Sequence, residues 1–329
     1  MITLVWRTDA HLAEQAPESR TDDWAETILD KLVQVGEIAS EVDADAVIDG
    51  GDFFHIKMPS RTPHKLIQRI AEVHANYPCP VYGTIGNHDV KYGDLDFLKE
   101  SPLGVLFSTG VFKRLDENEG TVFQPMPREA GRRLTMKVRV VAVPYHGKSY
   151  DMNRLTTITK GSEDYLVVVA HLLASQAGGE MFGAEDIVRY SDIANLDPDV
   201  WCFGHWHKNQ GVAELGGKHF VNVGSLSRGA LSEDELKRVP EVVVMRFDEE
   251  GIRIERRPLA VRPAAEVFDL ETRVRQQART MTVDAFVDSV KETFCTQDRK
   301  PLFDEIRDTD MPDEVRERVL SYLEAQGGS

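Results

Sequence analysis

Five short clusters of carboxylate, amide and imidazole side chains recur in order along the 329-residue chain: Asp9-Ala10-His11, Gly51-Asp52, Gly86-Asn87-His88-Asp89, His171 and Gly204-His205-Trp206-His207. These oxygen and nitrogen donors suit divalent cations, and two cations about 3.5–4 Å apart need several of them plus one carboxylate able to bridge. Asp9 and His11, two apart at the exit of an extended run, are expected to point to one side and grip one cation. His205 and His207 repeat that spacing and can divide between both cations. Asp52 is the natural bridge: a carboxylate has two oxygens, and this one follows Gly50-Gly51, where backbone can turn tightly. Asn87 offers a neutral amide oxygen to the second cation, and His171 completes that set. A cation pair held this way would bring the pKa of a bridging water near neutrality and neutralise phosphate oxygens, so the chemistry indicated is phosphoester hydrolysis.

Positioning five clusters requires five elements that end in one place. Each cluster closes an apolar, β-branched run: residues 2–6 lead to Asp9, 46–48 to Asp52, 81–85 to Asn87, 166–170 to His171 and 200–203 to His205. An open α/β sheet presents its ligand-binding loops at such strand ends. Helices are predicted over 22–41, with Trp24, Ile28, Leu32 and Val35 at helical spacing, and over 63–76. Later segments, 218–223, 242–247 and 252–257, read as consecutive strands. The order fits a two-sheet α/β sandwich flanked by helices, occupying residues 1–264. Residues 265–329 read as a short helical appendage, with an apolar stripe Val283, Phe286, Val287, Val290, Phe294 and a second helix carrying Val315, Val319, Tyr322 and Leu323.

The motif order DxH, GD, GNH(D/E), H, GHxH is similar to that of the calcineurin-like metallophosphoesterase superfamily, over roughly residues 1–260. The resemblance implies a first metal on Asp9, His11, Asp52 and His207, and a second on Asp52, Asn87, His171 and His205. It implies that His88 takes no metal and protonates the leaving oxygen or stabilises the transition state, with Asp89 placed to orient its imidazole. One histidine ending an apolar run is more often a satisfied core residue, and His171 is singled out only by its place between the third and last motifs. His64, His74 and His219 have no such support and read as surface or capping residues.

Serine/threonine phosphatases of the superfamily carry GDxVDRG and GNHE; this chain has Gly51-Asp52-Phe53-Phe54-His55 and Asp89 instead. The GDFFH stretch followed by Lys57-Met58-Pro59-Ser60-Arg61, the Val143-Pro144-Tyr145 tripeptide, Lys208, and FVNVGSLSR at 220–228 resemble SbcD-type nuclease subunits of double-strand-break repair complexes. That resemblance implies a manganese-dependent DNA exo- or endonuclease working with an SbcC-like coiled-coil ATPase, with a homodimer left open. It also gives His55 a role in placing a terminal nucleotide; the other reading is a buried histidine hydrogen-bonded behind the metals. Lys57, Arg61, Lys65 and Arg69 recur every four residues and, where helical, would line one face as nucleic-acid contacts. A second basic set, Arg128, Arg132, Arg133, Lys137 and Arg139, is expected in a hairpin. Ordinary solvated surface is the alternative for both sets. Two further readings stay open: a stand-alone phosphodiesterase acting on a nucleotide or other small phosphoester, and an inactive scaffold regulating an ATPase, against which the intact ligand set argues.

Composition bounds these readings. The formal charge of −16 opposes encounter with DNA, since phosphate contacts depend on lysine and arginine. Two bound divalent ions would offset part of it, and a local groove matters more than the total. Cys79, Cys202 and Cys295 are scattered, which fits a reducing cytoplasm and gives no disulfide framework. No apolar run approaches membrane-spanning length, and with Met1 leading straight into the first strand no signal peptide is expected. Relatives of the SbcD type usually carry a DNA-capping domain before their partner-docking helices. Residues 265–329 cannot hold both, so either the cap is reduced or the tail is the docking pair; packing back on the core is the alternative. Ala13, where relatives usually have glycine, is a tolerable departure.

Overall fold

Residues 2–7 form β1 (Ile2–Arg7), buried along its whole length, because it is covered on both faces. Ile2, Leu4 and Trp6 face one apolar core and Val5 faces another, as the two-residue period of a strand requires. The computed structural model describes residues 1–270 except 18, 125–135, 178, 182–184 and 231, and for 59, 179–181 and 233 the backbone alone. Met1–Phe268 form one compact unit. The expected helical tail, apart from its first few residues, lies outside the described residues, as do Arg128, Arg132, Arg133 and Cys295.

Two six-stranded sheets lie face to face. In the first, β1 is flanked by β2 (Ala46–Asp49), β3 (Val81–Gly83) and β4 (Lys113–Arg114), all parallel. On its other side stand the antiparallel β14 (Glu241–Asp248) and β15 (Gly251–Pro258). In the second, β6 (Val138–Val143), β7 (Tyr165–His171), β11 (Val200–Gly204) and β13 (Lys218–Asn222) are parallel. The antiparallel β5 (Thr121–Phe123) and β12 (Gly211–Leu215) are its edges. A third, small sheet is made of β8 (Ala174–Ser175), β10 (Glu185–Arg189) and β9 (Gly179–Met181). The core between the large sheets is Trp6, Ile48, Val140, Val169, Cys202, Val243 and their neighbours. This is the α/β sandwich that the strand order predicts.

Helices cover the outer faces. α1 (Trp24–Glu41) starts where the Asp23 carboxylate accepts the Glu26 N–H at 3.0 Å, satisfying one of the first-turn donors. It ends beside Asp43, in the left-handed region at φ 52°. Its Trp24, Ile28, Leu32 and Val35 are all buried, each such side chain contributing about 1.5–3 kcal/mol relative to exposure. α2 (His64–Ala75) and α3 (Pro102–Ser108) complete that face, while α4 (Asn153–Thr156) and α5 (Tyr190–Ile193) contribute Leu155 and Ile193 to the core on the far side of the second sheet.

Several sequence expectations change in three dimensions. Lys57, Arg61, Lys65 and Arg69 do not share a helical face: α2 begins only at His64, and Arg61 belongs to a separate 3-10 turn. Pro63 is the reason, since its ring disfavours helical backbone in the residue before it. Arg69 is paired to Glu26 and Arg61 donates to Gln15 at 3.1 Å. Arg139, from the expected basic hairpin, lies in β6 and is paired to Glu163. His74 is neither surface nor cap. It is buried, accepting at Nε2 from Arg7 at 2.9 Å and donating from Nδ1 to the Ile70 carbonyl at 2.7 Å.

Arg7 is the centre of that network. Fully buried, it pairs with Asp49 at 2.8 Å and donates to the Tyr77 hydroxyl at 2.9 Å. Asp49 in turn accepts the Gly51 N–H at 3.2 Å, tying the ion pair to the loop that carries Asp52. Arg7→Met should therefore leave a buried unpaired carboxylate and lower unfolding free energy in urea by about 3–5 kcal/mol, and Arg7→Met with Asp49→Leu should recover most of it. A single variant within about 1 kcal/mol of wild type would contradict this coupling.

Candidate metal centre

The five motifs meet at the carboxyl ends of β1, β2 and β3 from one sheet and β7 and β11 from the other. Backbone hydrogen bonds stitch the first two loops together: Asp9 N–H donates to the Gly51 carbonyl and His11 N–H to the Asp52 carbonyl, each at 3.0 Å. Asp9 and His11 do converge, but not through strand alternation. β1 ends at Arg7, and both residues have left-handed backbone, φ 53° and 47°. Asp52 and His205 share that conformation at φ 50° and 84°. Residues other than glycine rarely adopt it, at a cost of about 1–3 kcal/mol each, and its concentration here marks a site held by its surroundings.

Three groups of side chains bring ligand atoms within 4.8 Å of one another: Asp9, His11 and His207; Asp52, His171 and His205; and His11, His55 and His88. His11 Nε2 and His207 Nε2 are 2.8 Å apart, and each lies 3.7 Å from Asp9 Oδ1. Two imidazole nitrogens that close are satisfied by one shared proton or by a cation. Asp52 Oδ2 lies 3.6 Å from His11 Nε2 and 3.3 Å from His171 Nε2. His171 Nε2 is also 3.3 Å from the Asn87 amide oxygen, while its Nδ1–H donates to the Gly50 carbonyl at 2.7 Å. The donor set of imidazoles, carboxylates and one amide fits two divalent cations.

The electrostatics have one dominant feature. Burial alone would raise the Asp52 carboxyl, but the His171 imidazole, by charge and hydrogen bond, and then His11 hold it well below the usual range. Burial would likewise neutralise His171, and Asp52 overrides it, raising the imidazole to about 10. A cation placed between them would compete with that proton, so metal uptake here would be coupled to proton release.

His88 and Asp89 differ from the expected pairing. The Asp89 carboxylate is fully buried and accepts three backbone N–H groups: Asp52 at 2.8 Å, Gly86 at 2.9 Å and Phe54 at 3.1 Å. It fixes the two metal-site loops rather than the His88 ring. That ring is oriented by the His55 carbonyl, 3.0 Å from Nδ1, while the His88 N–H donates to Asp52 Oδ1 at 2.7 Å. His55 is exposed, its ring stacked on His88 with centroids 5.3 Å apart, so it lies beside the cluster and is not buried behind it.

Sequence reasoning missed the supports. Trp24 Nε1–H donates to the His11 carbonyl at 3.0 Å, so the start of α1 holds the first loop. The segment 220–228 has a structural role too: Leu226 N–H donates to the Thr8 carbonyl at 2.9 Å and Ser225 N–H to the His207 carbonyl at 3.1 Å. Arg238 clamps that segment through the Ser225 carbonyl at 2.6 Å and hydroxyl at 2.9 Å. Lys31, buried in α1, donates to the Leu226 carbonyl at 2.9 Å. Glu185, outside every motif, stands 2.8 Å from His205 Nε2. The signal available in the sequence was the apolar face of α1, on which Lys31 is out of place.

Burial, with Arg228 and Arg20 nearby, pushes the Lys31 amine down to about 7. In the unfolded chain it titrates near its ordinary value of about 10.4. Between those values the unfolded state holds more protons, so this group's contribution grows as pH rises and is lost as pH falls towards 7. In urea unfolding, the stability of wild type relative to Lys31→Met should therefore increase from pH 7 to pH 10. A pH-independent difference would contradict the burial of a titrating amine.

The family match agrees with this geometry. A family model described as calcineurin-like phosphoesterase matches residues 8–209. The chain is 27% identical over 272 residues to the DNA double-strand break repair protein Mre11 of Archaeoglobus fulgidus, covering 76% of this chain and 59% of that protein. It thus spans less than two-thirds of that relative's length. A dimetal phosphatase from Danio rerio superposes with a TM-score of 0.48 at 12% identity, covering 78% of this chain and 96% of that one. A novel archaeal phosphodiesterase gives 0.38 at 14% identity, covering 78% and 100%. With its motifs inside the matched region and gathered at one end of the sandwich, the chain belongs to the calcineurin-like phosphoesterase family.

Proposed function

We propose that the chain is a two-metal phosphodiesterase that cleaves DNA. The observation that carries the two-metal part is the division of labour within Asp52: Oδ1 is occupied by the His88 N–H, and Oδ2 lies between His11 and His171. One oxygen facing both imidazole sets is what a bridging ligand requires. On this reading Asp9, His11, Asp52 and His207 would hold the first cation, and Asp52, Asn87, His171 and His205 would hold the second. Bound there, the cations supply a water of near-neutral pKa and neutralise charge on the phosphate.

The protein's own groups supply the rest. The His88 Nδ1–H is committed to the His55 carbonyl, so the neutral ring presents a lone pair at Nε2, and that nitrogen delivers a proton to the leaving oxygen only after the ring has taken up a second proton as imidazolium. Its N–H on Asp52 Oδ1 also ties the proton donor to the bridge, so the two keep their spacing. His55, exposed and stacked on His88, is placed to touch substrate at the edge of the centre.

DNA as substrate is supported by the GDFFH, VPY and GSLSR stretches and by the relative named for double-strand break repair. Manganese as the metal follows from the same resemblance. So does a coiled-coil ATPase of the SbcC type as partner, docking through residues 265–329. The formal charge of −16, with Arg61 and Arg69 engaged by Gln15 and Glu26, favours a second reading, a phosphodiesterase for small substrates. Among Lys57, Arg61, Lys65 and Arg69, only Lys57 and Lys65 remain as unengaged candidates for phosphate contact in the described contacts. A nuclease should cut linear DNA with manganese, and its binding should weaken as salt rises. Activity confined to a small chromogenic diester, with no cleavage of DNA alone or with the ATPase, favours the second reading. No described helix is long and apolar enough to cross a membrane.

Two substitutions test the chemistry. Asp52→Ala should abolish manganese-dependent hydrolysis of a chromogenic phosphodiester while far-UV circular dichroism stays native; more than a tenth of the wild-type rate would refute the bridge. His88→Ala should still bind two manganese ions by calorimetry but lose turnover by about 10²-fold or more. Loss of one binding event in that variant would make His88 a ligand.

A further inference from the structure

Two of the histidines in the centre have their ring protons assigned by backbone. His171 gives its Nδ1–H to the Gly50 carbonyl and His88 gives its own to the His55 carbonyl. His205 is different. Its Nε2 faces Oε1 of Glu185 at 2.8 Å, and Glu185 is buried at 8% exposure. Glu185 opens β10 in the small third sheet, where it pairs with Met181, and belongs to none of the five motifs. It is also outside all three groups of converging ligand atoms, so it is not among those donors. The ring is further confined by Tyr145 and His171, whose centroids lie 5.3 Å and 5.1 Å away.

An imidazole has one proton and one lone pair when neutral, and a partner on one nitrogen decides which nitrogen carries each. A carboxylate against Nε2 places the proton there and leaves the Nδ1 lone pair for a metal. We infer that Glu185 is a positioning residue for the second cation: it accepts the His205 Nε2–H and so fixes the ring's orientation and tautomer. This rests on the two-metal reading above. Such outer carboxylates typically govern metal affinity by about 10–100-fold. Glu185 also explains why β10 and its small sheet abut the active face, a role that the motif pattern leaves blank. His205 has the largest positive φ of the ligand candidates, 84°, so a second anchor on its ring has a physical purpose.

The test uses full-length protein stripped of metal, as wild type, Glu185→Ala and Glu185→Gln, titrated with manganese by calorimetry and followed by electron paramagnetic resonance. Wild type should take up two ions with the spectrum of a coupled pair. Glu185→Ala should weaken one binding event by about 10–100-fold and leave the other unchanged. Glu185→Gln, which keeps an oxygen acceptor in the same place, should stay within a few-fold of wild type. Thermal melts of all three metal-free proteins should coincide. Two unchanged events in Glu185→Ala would overturn the inference. So would a fall in melting temperature with both events lost, which marks a structural ion pair, or a Glu185→Gln variant as weak as Glu185→Ala, which makes the charge itself the requirement. Failure of wild type to bind a second ion would overturn the two-metal reading, and is distinguishable because it appears before any substitution.

Discussion

Asp9 and Asp52 are held almost entirely out of water, at 0% and 1% exposure, close enough for the Asp52 charge to act on Asp9. Burying carboxylate charge is costly unless partners replace the lost solvent. Much of the surrounding architecture supplies those partners. Asp9 accepts the Thr8 hydroxyl at 2.6 Å and the His205 N–H at 3.1 Å; Asp52 accepts the His88 N–H and faces two imidazoles. Asp89, a third buried carboxylate, is pushed up to about 7 by burial and by the Asp52 charge. The left-handed backbone at Asp9, His11, Asp52 and His205 turns these donors inward from both sheets. Glycines make room for it: a Cβ on Gly86 would collide with the Asp52 carboxylate, and one on Gly51 would stand 2.7 Å from the Gly86 nitrogen.

The sandwich is what brings two sheets' worth of strand ends to one point. β1, β2 and β3 deliver Asp9, His11, Asp52 and Asn87, whereas β7 and β11 deliver His171, His205 and His207. Neither sheet alone holds all of the proposed ligands. The inter-sheet core that contains Trp6, Ile48, Val169 and Cys202 therefore sets the spacing of the centre as well as the stability of the fold. The 220–228 segment adds a second constraint, because its backbone is bonded to the loops of both Thr8 and His207.

Much of this was legible in the sequence where a residue's role depends on its type and place in an apolar run. Strands ending at each motif, the start of α1 and the consecutive late strands all follow from periodicity and punctuation. Roles that depend on long-range partners were not. Asp89 looks like a companion for His88 by adjacency, yet backbone N–H groups from three separate residues claim it. His74 looks like a surface residue, yet Arg7, far away in sequence, buries it. Convergence of Asp9 and His11 was anticipated for the wrong reason, since the strand has already ended. Glu185 carries no local signal at all, because its meaning comes from a histidine in the loop after another strand.

The central proposal is that Asp52 would be shared by two cations. Manganese-soaked crystals, examined by anomalous scattering at the manganese edge, measure it directly. Two peaks about 3.5–4 Å apart should flank Asp52 Oδ2, one within ligand distance of Asp9, His11 and His207, the other of Asn87, His171 and His205. A single peak, or a pair that does not share Asp52, would contradict the account.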